Sequence, residues 1–277
     1  MKELINFDEQ FGQYIEKWMA ENADKYENVD EMEAEVPELY LKWMHEGAAF
    51  LDGAEPAHYF DRYDDPEELL ALMRRYLDEN VPLPDPLLER LTDLGAAAER
   101  ALVAALEQEQ NPEAQMLEIG LLGELESEAP MALYVEWAAT GEEGDDRAEA
   151  AAEVLGRMSE RVVALALPRL MQAKAPHIKA RLIDVLCNFP GDDRIFEQLL
   201  ELFCQRREER ALFASYLCKY GDERALSALK EALVDPDINY LDYIEICNAI
   251  EALGGQVEVQ RDFTGDPYYE SLRTMND

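Results

Sequence analysis

Three arginines recur at equivalent positions of a repeated pattern, and they are the best candidates in this sequence for shared chemistry. Arg161, Arg194 and Arg224 each follow an acidic residue and precede two apolar residues. A guanidinium group can bind a carboxylate through two parallel hydrogen bonds. Two interpretations are open: a structural ladder, in which each arginine bonds an acid of the adjacent repeat, or a stripe that binds anions. The abundance of acidic residues favours the ladder.

Histidines and cysteines are too scattered in the sequence to predict a metal site. A metal ion needs three or four converging ligands, whereas His45, His58 and His177 lie on three different predicted elements. The four cysteines are separated by 17, 14 and 29 residues and form no Cys-x-x-Cys pair. Such cysteines, with no secretory signal, are expected to be reduced and buried. We therefore predict no metal ion and no cofactor.

The acidic residues are spread along helix faces, as at Glu118, Glu124 and Glu136, and do not form a catalytic pair or a calcium loop. The densest group, at 141–146, is interpreted as a solvated linker between repeats. Phosphate-binding glycine loops, nucleophile elbows and zinc-protease motifs are missing from the sequence. We predict no catalytic residue and a non-enzymatic protein.

The net charge narrows the range of partners. The 277 residues include 61 acidic and 25 basic ones, which gives −36 and should repel nucleic acids and anionic membranes. Residues 1–80 and 81–160 each carry −15, and residues 161–277 carry −6. Neither a targeting segment nor a long apolar run is apparent. We expect a cytoplasmic protein whose acidic N-terminal half would attract a basic protein partner.

Helices must position these residues, because apolar residues recur every three or four positions along most of the chain. Helices are predicted at 7–22, 30–46 and 65–79, with Asp30 and the start at 64–66 as caps. The one alternating stretch, at 256–260, is a candidate strand.

From about residue 84 the helices form a repeated pair. A glycine usually follows the first helix, an acid or serine then caps the second, and the second helix opens on the arginine motif. Stacked pairs bury an apolar stripe that one pair alone would expose. The predicted caps are Ser127, Ser159, Asp192 and Asp222. The predicted pairs are 84–110, 111–142, 143–174, 175–205, 206–235 and a partial one at 236–255.

The stretch Leu217-Cys218-Lys219-Tyr220-Gly221-Asp222-Glu223-Arg224-Ala225-Leu226, continuing to Asp235-Pro236, resembles the short HEAT-like repeat. That repeat was first recognised in phycobilisome bilin lyases and is found across many bacterial proteins. The resemblance covers about 170 residues and implies a right-handed α-α superhelix with the second helix of each pair on the concave side. The concave interaction face would then hold Arg161, Arg194, Glu197, Arg224, Ser227 and Glu231.

These expectations combine into an all-α protein of three parts. Residues 1–80, which hold 12 of the 25 aromatic residues, form a helical N-terminal cap; 84–255 form the HEAT-like repeats; 256–277 form a C-terminal tail or cap. We expect a protein–protein interaction scaffold. Two alternatives remain: an acidic decoy that captures a basic, DNA-binding protein, and a lyase-like enzyme, which rests on the family resemblance alone.

Overall fold

The structure is a computed structural model that describes residues 4–275. Every regular element among these residues is helical and none is a strand, which confirms the all-α prediction. Contacts divide the chain into two compact units, Met1–Ser127 and Glu128–Asp277. The boundary predicted at 80–84 lies inside the first unit. Within the described part of the chain, we find no helix that combines the length and apolarity needed to cross a bilayer.

The first unit contains seven α-helices in its described residues, joined in places by short 3₁₀ turns. The predicted helices at 7–22 and 65–79 are confirmed, and Asp65 caps the second of them. The predicted helix at 30–46 is divided in two, because Pro37 enters the first turn of a new helix, and the cap is Asn28, not Asp30. The helices are α1 (Phe7–Asn22), α2 (Val29–Glu33), α3 (Val36–Met44), α4 (Pro66–Asp78), α5 (Asp85–Asp93), α6 (Ala96–Leu106) and α7 (Pro112–Glu124).

An aromatic cluster forms the core at the N-terminal end of this unit. Phe7 lies at its centre, with the ring centroids of Trp43, Phe50, Tyr59 and Phe60 5.8–6.4 Å away. The segment between α3 and α4 therefore points aromatic side chains inward, although its backbone is irregular apart from two 3₁₀ turns. Such ring pairs add to the stabilisation from apolar burial.

The second unit contains nine α-helices in its described residues. Counting from the predicted repeats, α9, α11, α13 and α15 are first helices, and α8, α10, α12 and α14 are second helices. Each first helix packs on the second helix that precedes it in sequence: α9 on α8, α11 on α10, α13 on α12 and α15 on α14. First helices also pack on each other, as α11 does on α9 and α13 on α15. The helices are α8 (Met131–Thr140), α9 (Asp146–Leu155), α10 (Arg161–Gln172), α11 (Pro176–Leu186), α12 (Asp193–Gln205), α13 (Arg210–Tyr220), α14 (Leu226–Leu233), α15 (Tyr240–Ala252) and α16 (Pro267–Met275).

The turns that precede the second helices show which of the predicted glycine and capping signals are correct. Gly221, just past the end of α13, has φ +78°, the left-handed backbone that favours glycine at a helix end. Asp192 and Asp222 cap the second helices as predicted. Ser127 and Ser159 do not. Both bond an acidic residue about 30 residues earlier in the chain, Ser127 through its hydroxyl to Glu99 and Ser159 through its backbone N–H to Glu128.

Two further expectations are corrected. Residues 256–260 form no strand, because no second strand pairs with them; their backbone instead accepts a hydrogen bond at Val259 from the hydroxyl of Tyr243. The cysteines were expected to be buried, and Cys187 is, but Cys204 is exposed near the end of α12. Burial raises the pKa of the Cys187 thiol to about 12.

Candidate functional site

The six residues predicted for the interaction face all lie in the second unit, and all six are exposed. On α12, Arg194 and Glu197 are three residues apart and share one helix face, while Ile195 and Leu199 on the other side are fully buried. On α14, Ser227 and Glu231 are four residues apart in the same way. We define the second-helix face as the exposed sides of α10, α12 and α14, with the 3₁₀ turn Glu223–Ala225 before α14. It carries Arg161, Arg194, Glu197, Arg224, Ser227 and Glu231.

The three arginines of this face are all paired with carboxylates, in two different ways. Arg161 reaches Glu128, just before α8, with Nη1 3.3 Å from Oε2. Arg224 likewise reaches a residue distant in sequence, Asp193 at the start of α12, at 2.8 Å, and it also pairs with the capping residue Asp222. Arg194 instead pairs within its own turn, with Nη2 2.6 Å from Oδ2 of Asp192.

These pairs keep the carboxylates ionised. The hydrogen bond from the Arg194 guanidinium, with backbone N–H groups, lowers the pKa of Asp192 to about 2. Hydrogen bonds from Ser159, followed by the charge of Arg161, lower the pKa of Glu128. The guanidinium of Arg224 also lies over the ring of Phe196, 4.3 Å from its centroid. The positive charges of the face are therefore already engaged, which leaves unpaired acidic residues as its dominant free charge.

Two grooves flank the face. The groove of about 730 Å³ beside α10 and the start of α12 is lined by apolar residues that include Val163 and Phe189 and by the charged residues Glu160, Asp192, Asp193 and Arg194. The groove of about 490 Å³ beside α12 and α14 is lined by a similar mixture. Its apolar lining residues include Phe203, Ala228 and Val234. Its charged lining residues include Arg207, Glu231 and Asp235. Such surfaces suit side chains that are both apolar and positively charged.

Sequence reasoning missed a buried carboxylate in the first unit. Glu118 was expected on a solvated helix face, but it is fully buried in α7, and its Oε1 accepts a hydrogen bond of 3.3 Å from Arg74. Burial raises its pKa to about 7, although the positive charge of Arg74 acts in the opposite direction. Its spacing from Ala114 and Leu122, four residues on either side, places it in the apolar stripe of the helix and was the available signal.

The linker expected at 141–146 is held by a buried arginine. Arg181, on α11, is 4% exposed and donates hydrogen bonds to the carbonyl oxygens of Ala138, Gly141 and Glu142. It also pairs with Glu149 at 2.7 Å. Residues 142–144 are exposed, as expected for a linker, but the start of the segment is fixed to α11.

The structure also brings together two histidines that the sequence places on separate elements. His45 follows α3 and His58 ends the 3₁₀ turn Pro56–His58, yet their ring centroids are 6.0 Å apart, with Glu55 beside both. His177 lies on α11 in the second unit. The short separation of the first two histidines, with glycines between them, was the only signal for this approach.

No family model matches the chain, and no curated protein matches it. Function must therefore be inferred from the geometry of the described residues.

Proposed function

We propose that this protein is a non-enzymatic interaction scaffold of the HEAT-like repeat type, with its helix pairs arranged as a right-handed α-α superhelix. Residues 1–80 would cap the first repeats through their aromatic cluster. The partner would be a protein bound on the second-helix face. The observation that carries this proposal is the exposure of polar residues on α10, α12 and α14 and in the turn before α14, next to grooves lined by both apolar and charged residues.

The charges of the face favour a partner with basic residues. Its arginines are paired with carboxylates, whereas Glu197 and Glu231 are exposed and form no ion pair in the described residues. The second unit carries 29 acidic and 16 basic residues, so its field attracts a positive segment. Lysine and arginine side chains combine an aliphatic stem with a positive end, which suits grooves lined by apolar residues and by more acidic than basic residues.

Site-specific photocrosslinking tests this proposal directly. A photoreactive residue at position 197, 227 or 231 should crosslink one discrete partner in native lysate. The same residue at Glu153 on α9 or Glu251 on α15, both exposed positions on first helices, should not. Equal crosslinking from first and second helices would contradict binding at the second-helix face.

The acidic decoy remains a second candidate, because the first unit carries 32 acidic and 9 basic residues. A decoy binds through long-range charge, so its affinity should fall steeply as salt rises. A scaffold that uses apolar grooves should retain most of its affinity. Measuring the affinity for the crosslinked partner at low and high salt separates the two functions.

A further inference from the structure

Two histidines and a glutamate converge at the surface of the first unit. His45 Nδ1 lies 3.6 Å from Glu55 Oε2, and His58 Nε2 lies 3.9 Å from the same oxygen. One possible ligand atom from each residue lies within 4.8 Å of the other two. The three side chains are 64%, 44% and 58% exposed, so an ion can reach them from solvent.

These separations are close to those of a metal-ligand set. A tetrahedral zinc ion with nitrogen and oxygen ligands at ~2.0–2.1 Å holds its donor atoms about 3.3 Å apart. The widest separation allowed by the cluster exceeds that value by about 1.5 Å. Because all three side chains are partly or largely exposed, small rotations about their side-chain bonds can close this difference.

Asp61 orients one of the two imidazoles. Its Oδ2 lies 2.9 Å from His58 Nδ1. A carboxylate at this position accepts a hydrogen bond from Nδ1–H, which leaves a lone pair on Nε2, the nitrogen that lies 3.9 Å from Glu55. A carboxylate bonded to the outer nitrogen of a ligating histidine is the usual outer partner in zinc sites, where it fixes the tautomer and strengthens the ligand.

A closed loop holds the two histidines at this distance. Ala48 donates its N–H to Ala54 O and accepts at its own carbonyl from Gly53 N, both at 2.9 Å. A Cβ added at Gly47 would approach Gly53 O to 2.8 Å, so only glycine fits there without a shift. Leu51, at the tip, is buried against the unit. The chain therefore returns to α3 along a fixed path and delivers Glu55 and His58 to His45.

The surroundings favour a cation. Both histidines line a cleft of about 480 Å³ whose other lining residues include Asp61, Asp85 and Glu89. Acidic groups in a cleft raise the local concentration of cations.

We propose that His45, Glu55 and His58 bind one divalent late first-row transition metal ion, with Asp61 as the outer partner of His58. Imidazole nitrogens combined with a carboxylate suit zinc and its neighbours and discriminate against calcium and magnesium, which prefer oxygen ligands. Three protein ligands leave the fourth coordination position of a tetrahedral ion open for water, unlike structural zinc sites, in which four protein ligands fill all positions.

Histidine NMR tests the proposal, since the chain has only three histidines. The full chain, without a histidine tag and freed of metal, is titrated with Zn²⁺ in excess Mg²⁺, which occupies sites made of carboxylates alone. We expect the ring signals of His45 and His58 to change together and to saturate at one equivalent, while those of His177 stay unchanged. Before zinc is added, His58 should already be the tautomer protonated at Nδ1.

Variants assign the ligands. His45→Gln, Glu55→Gln and His58→Gln should each weaken zinc affinity at least ~10-fold, and Asp61→Asn should weaken it ~10–100-fold. His177→Gln is the matched control and should leave affinity unchanged. Circular dichroism checks that each variant is folded, which the exposure of these side chains favours.

Three results would overturn the proposal: zinc that fails to bind in excess Mg²⁺, signals of all three histidines that shift in parallel without saturating, or equal affinity in the parent and the His58→Gln variant.

Discussion

Replacing Glu118 by glutamine should stabilise the protein at neutral and higher pH and change little in acid. The Glu118 side chain is fully buried, its Oε2 has no hydrogen-bond partner among the described residues, and its Oε1 has only the long bond from Arg74. Glutamine has nearly the same shape but no charge. The variant therefore avoids the cost of keeping a poorly compensated carboxylate away from water.

The magnitude follows from the pKa. Burial raises the pKa of Glu118 from the ordinary value of 4.5 to about 7, despite the opposing charge of Arg74. Each pKa unit corresponds to about 1.4 kcal/mol, so the ionised form costs ~3 kcal/mol in the folded state. Between these two values the folded protein keeps the proton and the unfolded chain has released it. Protonated Glu118 therefore contributes fully to the stability of the folded protein below pH 4.5, and this contribution is lost as the pH rises through 7.

Urea unfolding of the parent and the variant across pH 4.5–8.5 measures this effect. The variant should match the parent near pH 4.5 and gain on it by ~2–3 kcal/mol at pH 8, after allowing for a weaker bond to Arg74. Using the difference between the two proteins cancels the contributions of the other acidic residues.

Glu109 provides the control of opposite sign, since it shares Arg74 with Glu118. Burial alone would raise its pKa, but backbone N–H groups of Asn111 and Gln110 and the Arg74 guanidinium outweigh burial and lower it. Ionised Glu109 therefore stabilises the folded protein above the pKa of the unfolded chain, and this stabilisation is lost as the pH falls. Glu109→Gln should consequently lower the free energy of unfolding most at neutral pH. A Glu118→Gln advantage that is independent of pH, or that shrinks as pH rises, would refute the reasoning.

Three other substitutions test the packing. Arg181→Met removes the donor for three carbonyl oxygens and should lower the free energy of unfolding in urea by ~3 kcal/mol. Arg157→Met, at an exposed position, should change it by less than about 0.5 kcal/mol. Equal losses would contradict the role of Arg181 in holding these carbonyl oxygens. Arg224→Ala should cause a small but measurable decrease in Tm, because it removes the ion pair between Arg224 and Asp193. An unchanged Tm would show that this ion pair does not stabilise the fold. Phe7→Ala should cost ~3–5 kcal/mol and shift the fluorescence of Trp43, which it contacts; an unchanged spectrum would contradict the central position of Phe7.

The helix pairs could be predicted from the sequence because their signals are local. Apolar spacing, capping residues and glycines after helix ends act within a few residues, and they located α9 to α14 well. They failed where two signals competed. Pro37 divided a helix that periodicity alone would continue, and Ser127 and Ser159 bonded acidic residues about 30 residues earlier in the chain instead of capping.

The chemically distinctive residues could not be predicted, because their properties depend on contacts distant in sequence. Arg74 lies 44 residues from Glu118, and Arg181 lies 39 to 43 residues from the carbonyl oxygens that it binds. The approach of His45 to His58 depends on how one loop closes, which spacing on separate elements does not show. Sequence patterns therefore located the helices, whereas the charges and ligands that these helices bring together required the structure.

The most direct test of the central claim is a charge reversal on the second-helix face, compared with a matched reversal on first helices. Glu197→Lys combined with Glu231→Lys changes the net charge by the same amount as Glu153→Lys combined with Glu251→Lys, and all four positions are exposed. Affinity is measured for the partner identified by crosslinking. The first variant should lose at least ~100-fold in affinity and the second less than about threefold. Equal losses in the two variants would show that the partner responds to net charge and not to the second-helix face.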